Sequence, residues 1–404
     1  MNPAFIIDRK KMLAIWTIAL QLVLGWGFQH TATVPLRTTS SLLANNINRP
    51  LATHHSIDDK NAFRRSSLLK LEASSTAIST TKEEAASKPS FPLVLWRFTR
   101  PHTIIGSALA IPALHILAAP TYAAAFSMRT LKSVVFAMIP ALLMNLYITG
   151  LNQVTDVEID KINKPNLPIA AGDLSLKTGI ITVIVSLILS LLMGISHPAF
   201  GTQGLNMALW FSGILGTMYS MEPIRLKRYP FLALFCIVAV RGAVINAGFF
   251  AHAKVAAFGH TSTVMQCLSS DSRCMLSSLY FAIFGVVIAL MKDVPDVKGD
   301  AISDVRTFSV RLGQKRIFGL MHRLLTALFF GVGGSFFRGS LMPSASPAVK
   351  VGRAVVGISS VLAGLSVQRE AAPVNPEDSK QGYEFYMHLW KLFYLSYLVL
   401  PLAR

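Results

Sequence analysis

Six oxygen-bearing side chains fall in two short stretches of this 404-residue chain. In GLNQVTDVEIDKINKPNLP, Asn152, Asp156 and Asp160 recur at i, i+4 and i+8. On a helix they form one stripe that drifts by about 40° per step. In MKDVPDVKGD, Asp293, Asp296 and Asp300 stand at i, i+3 and i+7 and share a face as well, with Pro295 and Gly299 as loosening elements. Like charges stacked on one face repel unless a cation neutralises them. Oxygen-only donors favour a hard cation, and magnesium binds one or two carboxylates together with phosphate oxygens. Two such clusters predict a pair of magnesium ions on a diphosphate. Asp156, Asp160, Asp296 and Asp300 are the expected catalytic carboxylates. Asn152 and Asp293 complete the expected metal ligands.

Basic residues surround these stretches. YSMEPIRLKRYP offers Tyr219, Arg225 and Lys227 to phosphate oxygens, Lys292 adjoins the second acidic stretch, and Arg100 sits in FTRPHTIIG. Arg228 and Lys298 read as ordinary loop charges. Arg241 lies inside the apolar run CIVAVRGAVINAGFF. An arginine at that depth is costly and needs a polar cavity and a partner, here a substrate carboxylate or a motif aspartate. His102 and His252 read as interfacial residues rather than acid/base groups.

The elements that must position these residues are membrane helices. The chain is 52% hydrophobic and 14% charged, against about 25% charged in a soluble protein. Apolar runs recur near 102–119, 131–151, 178–196, 205–221, 230–252, 275–292, 315–337, 351–367 and 385–402. The expected fold is therefore all-α and integral to the membrane, with nine spans. Nine spans put the segment before the first and the loops after the second, fourth, sixth and eighth on one face. Of 14 Asp and Glu beyond residue 88, 13 lie on that face and only Asp271 lies opposite. Lys and Arg divide roughly 16 to 8 in the same sense, which orients the acidic face to the cytoplasm or, in a plastid, the stroma. The net charge of +18 is spread over the N-terminal segment and loops, with no basic stripe interleaved with aromatics, so no nucleic-acid partner is expected. Three cysteines, Cys236, Cys267 and Cys274, make neither a disulfide scaffold nor a zinc site.

Residues 1–88 read as a presequence and 89–404 as the membrane domain. A signal-like segment occupies about 9–28, with a basic start at Arg9, Lys10 and Lys11 and an apolar run over 12–28. A Ser/Thr/Ala/Asn-rich, acid-poor, transit-peptide-like stretch follows. The pairing resembles the bipartite presequence of algae with secondary plastids and implies a multi-pass plastid membrane protein. The alternative is a tenth span followed by a tail.

Taken together, these residues resemble the UbiA family of intramembrane prenyltransferases, from about Trp96 to Arg404. Asn152-x-x-x-Asp156-x-x-x-Asp160 matches that family's first aspartate-rich motif, Asp293 to Asp300 its second, and YSMEPIRLKR its tyrosine-basic loop. The resemblance implies nine helices around a central cavity, Mg2+ and an isoprenoid diphosphate donor. The stretches NQVTDVEIDKINKPNLPIAAGDLS, KDVPDVKGD, RTFSVRLGQKRIF and WKLFYLSYLVLPL look like the plastid homogentisate prenyltransferases. GAVINAGFFAHAKVAAFG looks more like the phytyl branch, of tocopherol (vitamin E) synthesis, than the solanesyl branch. That implies phytyl transfer to homogentisate with loss of its carboxyl, Arg241 sensing the acceptor carboxylate. A solanesyl or geranylgeranyl donor, or another aromatic acceptor, is the enzymatic alternative. A transporter would hold its acids near the midplane and show repeated halves; here the acids lie at span ends and no repeat is visible. Residues 260–275 and 338–350 match no motif.

Overall fold

A computed structural model describes residues 89–403, Ser344 excepted. The signal-like and transit-peptide-like segments lie outside the described residues. Among the described residues nine helices have 18 residues or more: α1 Pro101–Ala118, α2 Met128–Thr155, α3 Leu176–Ile195, α4 Gln203–Ser220, α5 Pro230–Ala257, α6 Ser272–Lys292, α7 Gln314–Ser340, α8 Pro347–Ala371 and α9 Ser379–Val399. Each overlaps an expected run, with ends shifted by at most six residues. Seven are long and apolar enough to cross a membrane. The two that fall short are α4 and α9. Asn206, Ser212 and Ser220 dilute α4, while Lys380, Glu384 and Lys391 dilute α9. Nine spans were expected; in α4 the shortfall arises because polar positions such as Ser212 and Ser220 face a cavity rather than lipid.

Polar caps start most of the spans. Ser127, Ser175, Thr202, Ser346 and Asp378 accept from backbone N–H groups of the first turns of α2, α3, α4, α8 and α9. Large apolar side chains such as Ile181, Val185, Leu189 and Leu192 of α3 stay exposed, as a lipid-facing surface requires. Packing between helices rests on small residues. A side chain on Gly204 of α4 would run into the Gly248 carbonyl of α5, so these two backbones touch. The chain is thus an all-α membrane-spanning bundle around a buried core.

Two departures from regular helix matter for the site. Within α5, residues Ala239–Val244 and Ala253–Ala257 wind as π-turns, irregularities that recur at functional positions. The Asn246 side chain donates to the carbonyls of Arg241 (2.5 Å) and Gly242 (2.9 Å), groups the wider winding leaves short of partners. The first acidic motif is not one continuous helix, as its spacing predicted. α2 ends at Thr155, Asp156 is its non-helical cap (φ −115°, ψ 20°), and a short helix resumes over Val157–Asn163. The second motif is loosened as Pro295 suggested: residues 293–296 form a turn, and helix resumes at Val297–Ile302.

Candidate active site

Both acidic motifs, the loop after α4 and the residue before α1 meet in one pocket. Its lining includes Asp156, Asp160, Asp293, Asp296 and Asp300. Asp156 is the most heavily compensated. It pairs with Lys227, lies 2.9 Å from Arg225 Nη2, and its Oδ2 accepts from Asn152 Nδ2 at 2.6 Å. Asp293 Oδ1 lies 3.1 Å from Lys292 Nζ, which also donates to the Tyr219 hydroxyl at 3.2 Å. Asp160 is 3.8 Å from Arg100 Nη2, too far for a hydrogen bond, and its buried Oδ2 has no hydrogen-bond partner.

Two residues stitch the motifs together, and neither was expected from the sequence. Lys164 pairs with Asp296. Asn163 Nδ2 donates to Asp300 Oδ1 at 3.2 Å, and its Oδ1 accepts from Gly299 N at 2.9 Å. A side chain at Gly299 would collide with Asn163. A signal for Lys164 was present: it extends the four-residue period Asn152, Asp156, Asp160 by one further step.

Electrostatics separate Asp156 from Asp160, Asp293 and Asp300. Burial raises the Asp156 carboxyl, but Lys227, Arg225 and Arg100 outweigh burial and hold it below the usual carboxylate value. Burial draws Lys227 down to about 8 against the pull of Asp156. Asp160 is pushed up to about 6 by burial, which Arg100 and Lys164 offset only in part. Asp300 is pushed up to about 7 by burial, then by Asp293 and Asp296. Burial raises Asp293 too, against Lys292. Each motif therefore contains a carboxylate whose charge its neighbours do not balance. Backbone strain falls in the same place. Three non-glycine residues among those described have positive φ, and two are Arg100 (50°) and Arg225 (35°).

The donor set, five carboxylates and an amide oxygen, fits a hard divalent cation, and the unpartnered Asp160 Oδ2 is a ready ligand. Among the described residues no three Asp, Glu, His or Cys converge on one metal position. The carboxylates interleave with Lys and Arg, so a cation held here would need part of its coordination from a bound anion.

A second, mostly apolar cavity of about 200 Å³ opens from this pocket. Arg100, Asn152, Tyr219 and Lys292 line both. Beyond them the walls are apolar, with Met144, Ile148, Leu209 and Phe249. The structure brings together every site residue expected from the sequence except Arg241, which lines the apolar cavity instead. Among the described residues no motif aspartate pairs with it, which leaves a substrate carboxylate as the partner expected from the sequence. The guanidinium lies over the Trp390 ring, 4.7 Å from its centroid, with Phe393 at 6.0 Å. A flat, weakly hydrated guanidinium stacks well on an aromatic face. His102 lines this cavity too. His252 is remote, in a buried hydrogen-bond chain with Ser133 and Thr202. Arg228 is solvent-facing beside Glu222, and Lys298 is exposed, as their reading as loop charges implies.

Sequence comparison adds an independent line. The profile of the UbiA prenyltransferase family matches residues 109–392. The chain is 37% identical over 311 residues to the probable homogentisate phytyltransferase 1, chloroplastic, of Oryza sativa subsp. japonica, covering 76% of this chain and 72% of the relative. It is 36% identical over 311 residues to homogentisate phytyltransferase 1, chloroplastic, of Arabidopsis thaliana, covering 76% and 75%. Against the homogentisate geranylgeranyltransferase of Triticum aestivum it is 34% identical over 311 residues, covering 76% and 72%.

Proposed function

The chain belongs to the UbiA prenyltransferase family, and on that premise we propose that it transfers a phytyl group from phytyl diphosphate to homogentisate in a plastid membrane, all nine long helices crossing the bilayer. The observation that carries the reading is the junction at Arg100, Asn152, Tyr219 and Lys292. A charged pocket and an apolar cavity that share a rim suit one molecule with a diphosphate head and a hydrocarbon tail. The relatives named for homogentisate prenylation support the acceptor, and the phytyltransferases among them support the tail.

Arg225 and Lys227 bind the diphosphate oxygens, and in doing so exchange Asp156 for the ligand. Tyr219 and Lys292 hold the bridging end at the cavity rim. Asn152, Asp156 and Asp160, with Asp293, Asp296 and Asp300, are the residues that would hold Mg2+. When bound there, Mg2+ would neutralise the diphosphate and favour the ionised forms of Asp160 and Asp300, which burial and then neighbouring carboxylates otherwise disfavour. The allylic C–O bond breaks and pyrophosphate leaves with the bonding pair, its growing charge met by pre-placed cations. The apolar walls keep water from the allylic cation. A ring carbon of homogentisate forms the new C–C bond and releases its proton. The side-chain carboxylate leaves as CO2 and a proton takes its place, giving a methyl-phytyl-benzoquinol. Arg241, backed by Trp390, orients that carboxylate in the cavity.

The test is prenyl transfer by membranes carrying the full chain, with labelled homogentisate and with phytyl, geranylgeranyl and solanesyl diphosphates supplied separately. Product chiefly from phytyl diphosphate, lost on chelation, is the expected result. Product chiefly from geranylgeranyl or solanesyl diphosphate keeps the site and replaces the donor. Product without a divalent cation overturns the assignment of the aspartates.

A further inference from the structure

A larger cavity, of about 870 Å³, lies between α6, α7, α8 and α9 and shares no lining residue with the two already described. Its lining runs from Ser272 to Ile283 on α6, from Gly339 back to Ala327 on α7, and from Arg353 to Ala363 on α8. Those stretches span ten to twelve residue steps (363 − 353, 283 − 272 and 339 − 327). At 1.5 Å per residue they measure about 15–18 Å, roughly half of a 30 Å hydrocarbon core. The slot is one leaflet deep. It opens at the end of the bundle opposite the aspartates, where α6 and α8 begin and α7 ends. Tyr280, Leu392 and Ser396 face it, while the next residues along α6 and α9, Phe281, Phe393 and Tyr397, are buried in the core. Phe281 and Tyr397 stack there at 3.9 Å.

The mouth carries uncompensated positive charge. Arg353 is half-buried, and its Nη1 donates to the Gly339 carbonyl at 3.1 Å. No ion pair involves it among the described residues. Arg273, also at the mouth, donates to the Leu117 carbonyl and pairs with Asp271. Asp271 is the single acid counted on this face against eight Lys and Arg, and Lys254 already shares it at 2.9 Å. An apolar slot one leaflet deep under an unpaired guanidinium complements an amphiphile with acyl chains and an anionic head. The segment 338–350, which matches no motif, supplies Gly339 and Met342 to the mouth.

We propose that this slot is a binding site for an anionic phospholipid of that leaflet, with its chains between α6, α7, α8 and α9 and its phosphate on Arg353. The site is separate from the prenyl-transfer chemistry and stands whatever the substrates are.

Native mass spectrometry of the purified full chain, titrated with phosphatidylglycerol or with phosphatidylcholine of the same acyl chains, tests it. One arginine at a membrane surface corresponds to about a fivefold preference. The wild type should therefore retain phosphatidylglycerol about fivefold better, and Arg353→Ala should remove that preference. Ala363→Phe, which fills the slot, should lower retention of both lipids. Phosphatidylglycerol should raise the melting temperature of the wild type and not of Ala363→Phe. Should Ala363→Phe fail to fold, Arg353→Ala decides alone, since it alters a side chain at the mouth. Equal retention of the two lipids by the wild type, or unchanged preference in Arg353→Ala, overturns the proposal. So does a lipid-free dimer that buries the slot.

Discussion

At the far end of the bundle from the aspartates, His115, Ser133, His252 and Thr202 link α1, α2, α5 and the start of α4 through a buried chain of hydrogen bonds. The Ile111 carbonyl can only accept, so His115 Nδ1 donates to it (2.8 Å) and Nε2 accepts from the Ser133 hydroxyl (3.0 Å). Ser133 Oγ accepts from His252 Nε2 (3.1 Å), and His252 Nδ1 accepts from Thr202 (2.8 Å). Neutral tautomers satisfy every ring nitrogen. The acidic pocket is finished differently. Asp160 Oδ2, Arg100 Nε and Arg225 Nε are buried without hydrogen-bond partners, and both arginines sit in left-handed backbone. Buried polar groups are normally paired because leaving one unpaired costs about 1–3 kcal/mol. One cluster is closed on itself and ties helices together. The other is left open, at an energetic cost, for a ligand.

The sharpest way to break this contrast is Asp156→Ala. That side chain joins Arg225, Lys227 and Asn152, so its loss strips Lys227 of its ion pair, leaves Arg225 with Glu222 alone and removes a proposed metal ligand. Turnover should fall by about 100- to 1,000-fold, the scale of losing one pre-placed electrostatic group. Full activity in a radiolabelled prenyl-transfer assay would show that the open cluster is not the reaction centre.

A smaller effect is expected from Arg241→Met, because the contact proposed for Arg241 is with the acceptor rather than the leaving group. Losing a charge-assisted hydrogen bond of about 1.5–3 kcal/mol should raise KM for homogentisate roughly 10- to 100-fold, with KM for the diphosphate unchanged. An analogue lacking the carboxylate should not discriminate between the two proteins. Equal KM values for homogentisate would return Arg241 to a purely structural stack on Trp390.

The open cluster was legible in the sequence because its residues are acidic and periodic, and like charges at that spacing demand an explanation. Lys164 and Asn163 were harder to see, since they act across motifs: Lys164 on Asp296, Asn163 on Asp300 and Gly299. Periodicity shows which residues share a face, not which face meets another. The break at Asp156 was invisible for a related reason, because one non-helical residue leaves the spacing intact. The stack of Arg241 on Trp390 was not legible either, since Trp390 lies 149 positions further along the chain (390 − 241) and no periodicity links the two. The closed cluster gave no periodic signal at all: its four members come from four separate segments.

His252→Ala examines the closed cluster. It removes the donor to Ser133 and the acceptor of the Thr202 hydroxyl within the bundle, so stability should fall by about 1–3 kcal/mol and the melting temperature by several degrees. KM for both substrates and the magnesium requirement should not move in the surviving protein. A change in the magnesium requirement would mean that the two ends are coupled and that closure at one end helps to hold the other open.

The gentlest test uses pH alone. Asp160 and Asp300 have folded-state values of about 6 and about 7, above the usual 3.9 of an unfolded aspartate. Between those limits the folded protein binds more protons than the unfolded one, so stability falls as pH rises. The penalty begins above about pH 4 and is complete above about pH 7. Without divalent cations, the melting temperature should therefore decline from pH 5 to pH 7.5. Magnesium with a non-hydrolysable prenyl diphosphate analogue should recover the loss, and most strongly at the higher pH, because the ligand favours the ionised carboxylates. The double variant Asp160→Asn/Asp300→Asn should flatten the profile, while His252→Ala should lower it without changing its slope. A slope that survives the double variant would place the titrating groups elsewhere, and the acidic pocket would lose its claim to be the uncompensated end of the bundle.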